Sequence, residues 1–211
     1  MVRLRTLLPL KRTSLYALGL FTAIIGGLTG CDRQSRVAPQ GDGDGSSTQL
    51  IPLQIGASWT YQTVITFDDF PIFDTLYTYL IDTSFTFDSK EWLGERGDST
   101  FQRLGVEGIY QLEFRGGYAE ESLLFKYPTT VGQRWAVKVG GSVGDGELVA
   151  TQLTLTLPAG TFSSVLHYRL RFGDDQVNYY LNPGIGIVQT VIPWDNGSIT
   201  SRLIRYNLRR S

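Results

Sequence analysis

From residue 56 onward, apolar and polar residues alternate in short runs broken by Gly, Pro, Asn and Asp, the period-two pattern of half-buried strands. In the first run Trp59, Tyr61, Thr63, Ile65 and Phe67 share one face, and Thr60, Gln62 and Thr66 share the other. Tyr77, Tyr79, Ile81, Phe85 and Phe87 repeat the device against Thr78, Asp82, Ser84 and Thr86. The same pattern predicts strands at 101–106, 109–115, 123–127, 133–139, 147–157, 163–172, 177–181, 185–192 and 198–208. That makes about eleven strands. A short helix fits only at 119–126 in the body of the chain.

The breaks between runs carry turn chemistry. Asn196-Gly197 reads as a type I′ hairpin turn, which needs positive φ at both central residues. Pro158-Ala159-Gly160, Gly173-Asp174-Asp175 and Asn182-Pro183-Gly184 read as further hairpin turns. Hairpins in succession without crossover helices imply an antiparallel up-and-down sheet. So many strands exceed what a flat open sheet tolerates, so the expected fold is mainly β, a single curved sheet forming a half-barrel or barrel, with a β-sandwich as the alternative.

The amino-terminal segment follows a different pattern. Residues 1–12 are basic, 15–28 are apolar, and Leu28-Thr29-Gly30-Cys31 follows at once, the three-part layout of a secretory signal. The apolar run is shorter than the roughly 20 residues of a permanent membrane-spanning helix. Leu28-Thr29-Gly30-Cys31 resembles the lipobox of bacterial lipoproteins. That resemblance implies diacylglycerol on the Cys31 thiol, cleavage before it and acylation of the new amino group, hence a cell-envelope protein anchored to a membrane by lipid. Two or three acyl chains give the stable anchoring that one does not. Asp32 matches an inner-membrane retention signal of enterobacterial lipoproteins, a rule that does not hold in all bacteria. Three segments result: a signal peptide at 1–30, a tether at 31–49 and a β domain at 50–211.

The tether is rich in Gly, Ser, Asp and Gln and cannot bury a core. Asp42, Asp44 and Ser46 imitate the start of a calcium loop, but Leu53 stands where the bidentate Glu belongs. Composition narrows the rest. The 211 residues are 42% hydrophobic and 12% aromatic, as in a folding globular chain. Net charge is −1, but four of the basic residues precede residue 31, leaving 15 basic against 20 acidic residues beyond it. A mildly acidic body argues against a nucleic-acid binder, which needs a concentrated positive surface; Arg202, Arg205, Arg209 and Arg210 form only a short basic tail. One Cys and one His rule out an internal disulfide and a Cys/His zinc site.

Four phrases of the body resemble a loosely defined group of secreted bacterial proteins and lipoproteins without assigned activity. They are Gly56-Ala57-Ser58-Trp59-Thr60-Tyr61, Tyr127-Pro128 through Gly132-Gln133-Arg134-Trp135, Pro158-Ala159-Gly160-Thr161-Phe162, and Tyr179-Tyr180-Leu181-Asn182-Pro183-Gly184-Ile185-Gly186-Ile187-Val188. The resemblance implies a curved antiparallel sheet similar to the lipoprotein-localisation (Lol-type) half-barrels and brings no catalytic motif.

Candidate chemistry is sparse. Gly140-Gly141-Ser142-Val143-Gly144 has the letters of the Gly-x-Ser-x-Gly nucleophile elbow, but Asp145-Gly146 continues the turn where a helix should begin. His167 alternates with Arg169 and Arg171, pointing outward if Leu166, Tyr168, Leu170 and Phe172 face the core. Asp68-Asp69, Glu120-Glu121 and Asp174-Asp175 are adjacent in sequence and read as solvated turns rather than the facing carboxylates of a glycosidase. The reading is therefore non-enzymatic, with no cofactor and no metal. The sheet is expected to bind an apolar small molecule, a lipid or another envelope component, with Trp59, Tyr61, Tyr77, Tyr79 and Trp135 as the lining residues. A structural or adhesion-type protein with a filled core is the second reading, and a hydrolase the third.

Overall fold

The computed structural model describes residues 49–208. Cys31, the signal segment, all of the tether but Gln49, and residues 209–211 lie outside the described residues. Among the described residues thirteen strands follow one another: β1 (Ser58–Phe67), β2 (Phe70–Leu80), β3 (Thr83–Phe87), β4 (Lys90–Gly94), β5 (Thr100–Gly105), β6 (Gly108–Arg115), β7 (Tyr118–Lys126), β8 (Arg134–Val139), β9 (Ser142–Leu157), β10 (Gly160–Phe172), β11 (Asp175–Asn182), β12 (Gly186–Trp194) and β13 (Gly197–Asn207). Every pairing is antiparallel, and the strands form two sheets that do not close into a barrel. The larger has the order β2-β1-β13-β12-β11-β10-β9-β8, the smaller β3-β4-β5-β6-β7.

The mainly β, hairpin-by-hairpin architecture agrees with the sequence pattern, and the division into two sheets refines it. Between them the chain turns a corner at Ile81, fully buried, whose N–H donates to Ala57 O and whose carbonyl accepts from Gly56 N. Because Tyr77, Tyr79, Ile81, Phe85 and Phe87 keep one period through this corner, the sequence reads as one strand where the chain makes two. The segment 119–126, expected as a possible helix, is strand β7. Its Ser122 and Leu124 are buried, while Glu121, on the other face, takes Lys90 and Arg103.

Most buried apolar residues form one core shared by the two sheets: Trp59, Leu148, Val165, Tyr168, Leu170, Leu181, Val188 and Leu203 from the larger, Ile109, Leu124 and Phe125 from the smaller. Leu50 and Ile51 join it, and Gly184 N–H donates to Gln49 O at 2.9 Å. The first described residues are thus already part of the packed body.

Two-residue turns with both central φ positive join four hairpins, at Asp68-Asp69, Asp88-Ser89, Gly116-Gly117 and Gly140-Gly141. Asn196-Gly197 is not one of them. Trp194 pairs with Gly197, so the turn is Asp195-Asn196 and Gly197 opens β13. Glycine is needed there because any Cβ would collide with the carbonyl oxygen of Thr66 on β1.

Candidate functional site

The β1–β2 hairpin places Trp59 opposite Tyr79 and Tyr61 opposite Tyr77, all four on the core-facing side. Trp59 and Tyr79 stack with centroids 6.0 Å apart and planes at 28°. The Trp59 indole, 2% exposed, donates from Nε1 to Ile185 O at 2.7 Å. Tyr61 donates its hydroxyl to Ile187 O at 2.8 Å, and Tyr77 reaches Glu95 Oε2 at 3.5 Å. Burial drives the Tyr61, Tyr77 and Tyr79 phenols well above the ordinary 10.0, assisted at Tyr77 by Glu95 and at Tyr79 by Asp98. The raised values keep the three phenols neutral, and the Tyr61 and Tyr77 hydroxyls serve as hydrogen-bonding ends on packed rings.

Trp135, the fifth expected lining residue, lies elsewhere. It sits on β8, at the opposite edge of the larger sheet, half-buried, with Nε1 donating to Leu123 O at 3.2 Å and its ring edge-on to Tyr168. The structure thus brings together four of the five aromatics and holds the fifth apart, where it links the two sheets. Lys138 N–H to Ser122 Oγ (2.8 Å) and Gly140 N–H to Glu113 Oε2 (2.7 Å) reinforce the same seam.

A second aromatic cluster escaped the sequence reading. On the smaller sheet Trp92, Phe101 and Leu112 are buried apart from the main core, with Phe85 and Tyr110 packed against them. The Arg103 guanidinium covers them, 4.1 Å from the Tyr110 centroid and 5.2 Å from that of Trp92. Glu121 pairs with Arg103 and accepts from Lys90 Nζ at 2.7 Å. Burial acts to raise the Glu121 pKa, but these hydrogen bonds and charges outweigh it and bring it below the ordinary 4.5. The signal was present in the alternation of Phe101, Arg103 and of Tyr110, Leu112, Phe114. What hid it was strand β4, five residues long with Trp92 and Leu93 buried toward different neighbours.

The hydrolytic candidates do not converge. Ser142 follows the Gly140-Gly141 turn at the start of β9, with strand rather than helix after it. His167 pairs with Ala150, eight residues further along β9, which separates it from Ser142 by ~25 Å. It stacks on Tyr180 (4.6 Å, 12°) and contacts Asn178 Oδ1 at 2.9 Å. Burial lowers its pKa below 6.5, with the nearby Arg169 acting in the same direction. Tyr168 and Leu170 are fully buried, so His167, Arg169 and Arg171 do face outward. Asp68-Asp69 forms a turn, Asp174-Asp175 spans the turn into β11, and Glu120 and Glu121 lie on opposite faces of β7. Among the described residues, no three His, Cys, Asp or Glu side chains cluster in a way that could hold a metal ion. A shallow depression of about 390 Å³ lies between Glu113, Arg115, Tyr118, Ala119, Glu120 and Gly141, and none of the β1–β2 aromatics lines it.

No protein-family model matches the chain, and no curated protein matches it. Among solved structures, one is a lipoprotein candidate from Parabacteroides distasonis, 12% identical, covering 77% of this chain and 100% of its own, with a TM-score of 0.40. Another is an exported-protein candidate with a YmcC-like fold from Bacteroides fragilis, 16% identical, covering 76% of this chain and 99% of its own, with a TM-score of 0.41.

Proposed function

We propose that this chain is a bacterial envelope lipoprotein, anchored through acyl groups on Cys31, whose β body acts through its outer surface as a non-enzymatic structural or interaction module. The observation that carries the choice of surface over interior is the use of the aromatic row. Trp59 and Tyr61 give their donors to Ile185 O and Ile187 O, so the groups best placed to recognise a ligand already serve the fold. An interior site for an apolar ligand has less support, since binding there needs lining groups that are free to meet it. The anchor reading is supported by the lipobox Leu28-Thr29-Gly30-Cys31 behind a basic and apolar segment.

Globomycin treatment of cells with intact-mass analysis of wild type and Cys31→Ser tests the anchor. Accumulation of an uncut, diacylglycerol-bearing precursor is expected in the wild type only; a cut, acyl-free product would overturn it. Native mass spectrometry of the purified protein tests the interior. An empty body is expected, and co-purified lipid lost on Trp59→Phe or Tyr61→Phe would restore the apolar-ligand reading.

A further inference from the structure

We infer that β2 is a docking edge for a second copy of this chain, paired antiparallel about a twofold axis at Leu76. Among the described residues, β2 is the terminal strand of the larger sheet and pairs only with β1. Its free side exposes apolar side chains to an unusual degree: Phe70 74%, Ile72 65%, Phe73 48% and Leu76 64%. An exposed edge is ordinarily blunted by lysines or covered by another element. The other edge of this sheet follows that rule, since β8 carries Arg134 and Lys138 and is bridged to β7. Between Phe70 and Leu80 the only charge is Asp74, and no Lys or Arg is present.

What selects a second copy over another partner is the strand's own sequence. Read outward from Leu76, the residues match in both directions: Thr75 with Tyr77, Asp74 with Thr78, Phe73 with Tyr79, Ile72 with Leu80. In an antiparallel twofold pair these are the residues that stand directly opposite on the same face. Leucine meets leucine on the axis, apolar meets apolar at the ends, and the one carboxylate meets a hydroxyl donor. A register one residue away, about Thr75, would set Asp74 against Leu76, and one about Asp74 would set two carboxylates face to face.

The area is that of a small interface. Taking ~200 Å² for a fully exposed large apolar side chain, the uncovered parts of Ile72, Phe73, Leu76 and Leu80, the residues this register sets in apolar pairs, amount to roughly 430 Å² per copy, and the pair buries ~850 Å², the size of a weak association between copies held on one membrane. A lipid surface is the poorer occupant. The hairpin tip carries Asp68 and Asp69 beside Asp195 of the neighbouring turn, with no basic residue in either turn, and carboxylates do not enter an acyl layer. The inference concerns the body; the cross-linking arm of its test takes Cys31 to be acylated and so unable to form a disulfide, and the sedimentation arm does not depend on the anchor.

The test uses the full chain in its membrane. With Cys31 the sole native cysteine, Leu76→Cys is expected to give a reducible dimer under mild oxidation, and Val143→Cys, exposed on β9, at most a tenth as much. In detergent, sedimentation of the wild type is expected to give the mass of two copies, and Leu76→Lys or Ile72→Lys that of one, with far-UV circular dichroism unchanged. A one-copy mass for the wild type, or cross-linking of Leu76→Cys to a different protein in place of itself, would overturn the inference.

Discussion

Trp135 on β8 covers Gly146, its cross-strand partner on β9, so closely that a Cβ at 146 would sit 2.6 Å from the indole Cζ2. Gly146 leaves the space, Trp135 fills it, and the indole N–H then reaches Leu123 O in the other sheet. Gly146→Ala is therefore expected to destabilise the fold by about 1–3 kcal/mol through overpacking. In a Trp135→Ala background the same change should cost far less, because the clash is gone. Urea unfolding of the four members of this cycle measures the coupling; equal costs in both backgrounds would show that the ring does not constrain position 146.

Trp59→Ala should cost about 3–5 kcal/mol, as for a large aromatic removed from a core. Tyr61→Phe keeps the ring but leaves Ile187 O without its donor, a loss of about 1 kcal/mol. Chemical denaturation checks both. A Trp59→Ala cost under about 1 kcal/mol, the range of surface sites, would place the indole outside the core.

Glu121 is expected to stabilise the smaller sheet in a pH-dependent way. Its folded pKa lies below the ordinary 4.5, so its contribution is complete above 4.5 and is lost as pH falls through the folded value. The gap in urea midpoint between wild type and Glu121→Gln should be constant near neutrality and shrink in acid. A gap independent of pH would mean that the Lys90 and Arg103 pairs contribute little.

The single histidine makes His167 easy to follow. Its imidazole should titrate below 6.5 in the native protein, by NMR. The unfolded chain then binds the proton at higher pH than the folded one. The His167 contribution to stability is thus level above 6.5 and declines as pH drops from there toward the folded value. Titration above 6.5 would mean that the Tyr180 stack leaves the ring hydrated.

Much of the fold was legible because burial on one face writes a period of two into the sequence, and most strands follow it. Where two neighbours demand different things of a residue, the reading slips. Gly197 looked like a turn residue and is instead the point where Thr66 passes close by. The segment 119–126 has strong helix formers in Ala119, Glu120, Glu121 and two leucines, yet tertiary partners on β4, β5 and β8 hold it extended. For the candidate site, adjacency of Trp59, Tyr61, Tyr77 and Tyr79 could be read from alternation around one hairpin. Their hydrogen-bond acceptors could not, because Ile185 and Ile187 each lie 126 residues from their donors.

The pairing of Ser58 with Asn207 sets the order in which the chain can assemble. Of the described strands β1 is the first to leave the ribosome, and one of its two edges must wait for the last of them. Hairpins β3–β7 and β8–β13 need only local contacts and can form as they appear, whereas the larger sheet is completed by a single late joining of the two ends. Such a non-local step is slow, which leaves the chain incompletely folded and open to threading during synthesis. The same adjacency suits the body to circular permutation: linking 208 to 49 and cutting between β7 and β8 would make every hydrogen-bonded strand pair a consecutive one and should speed refolding.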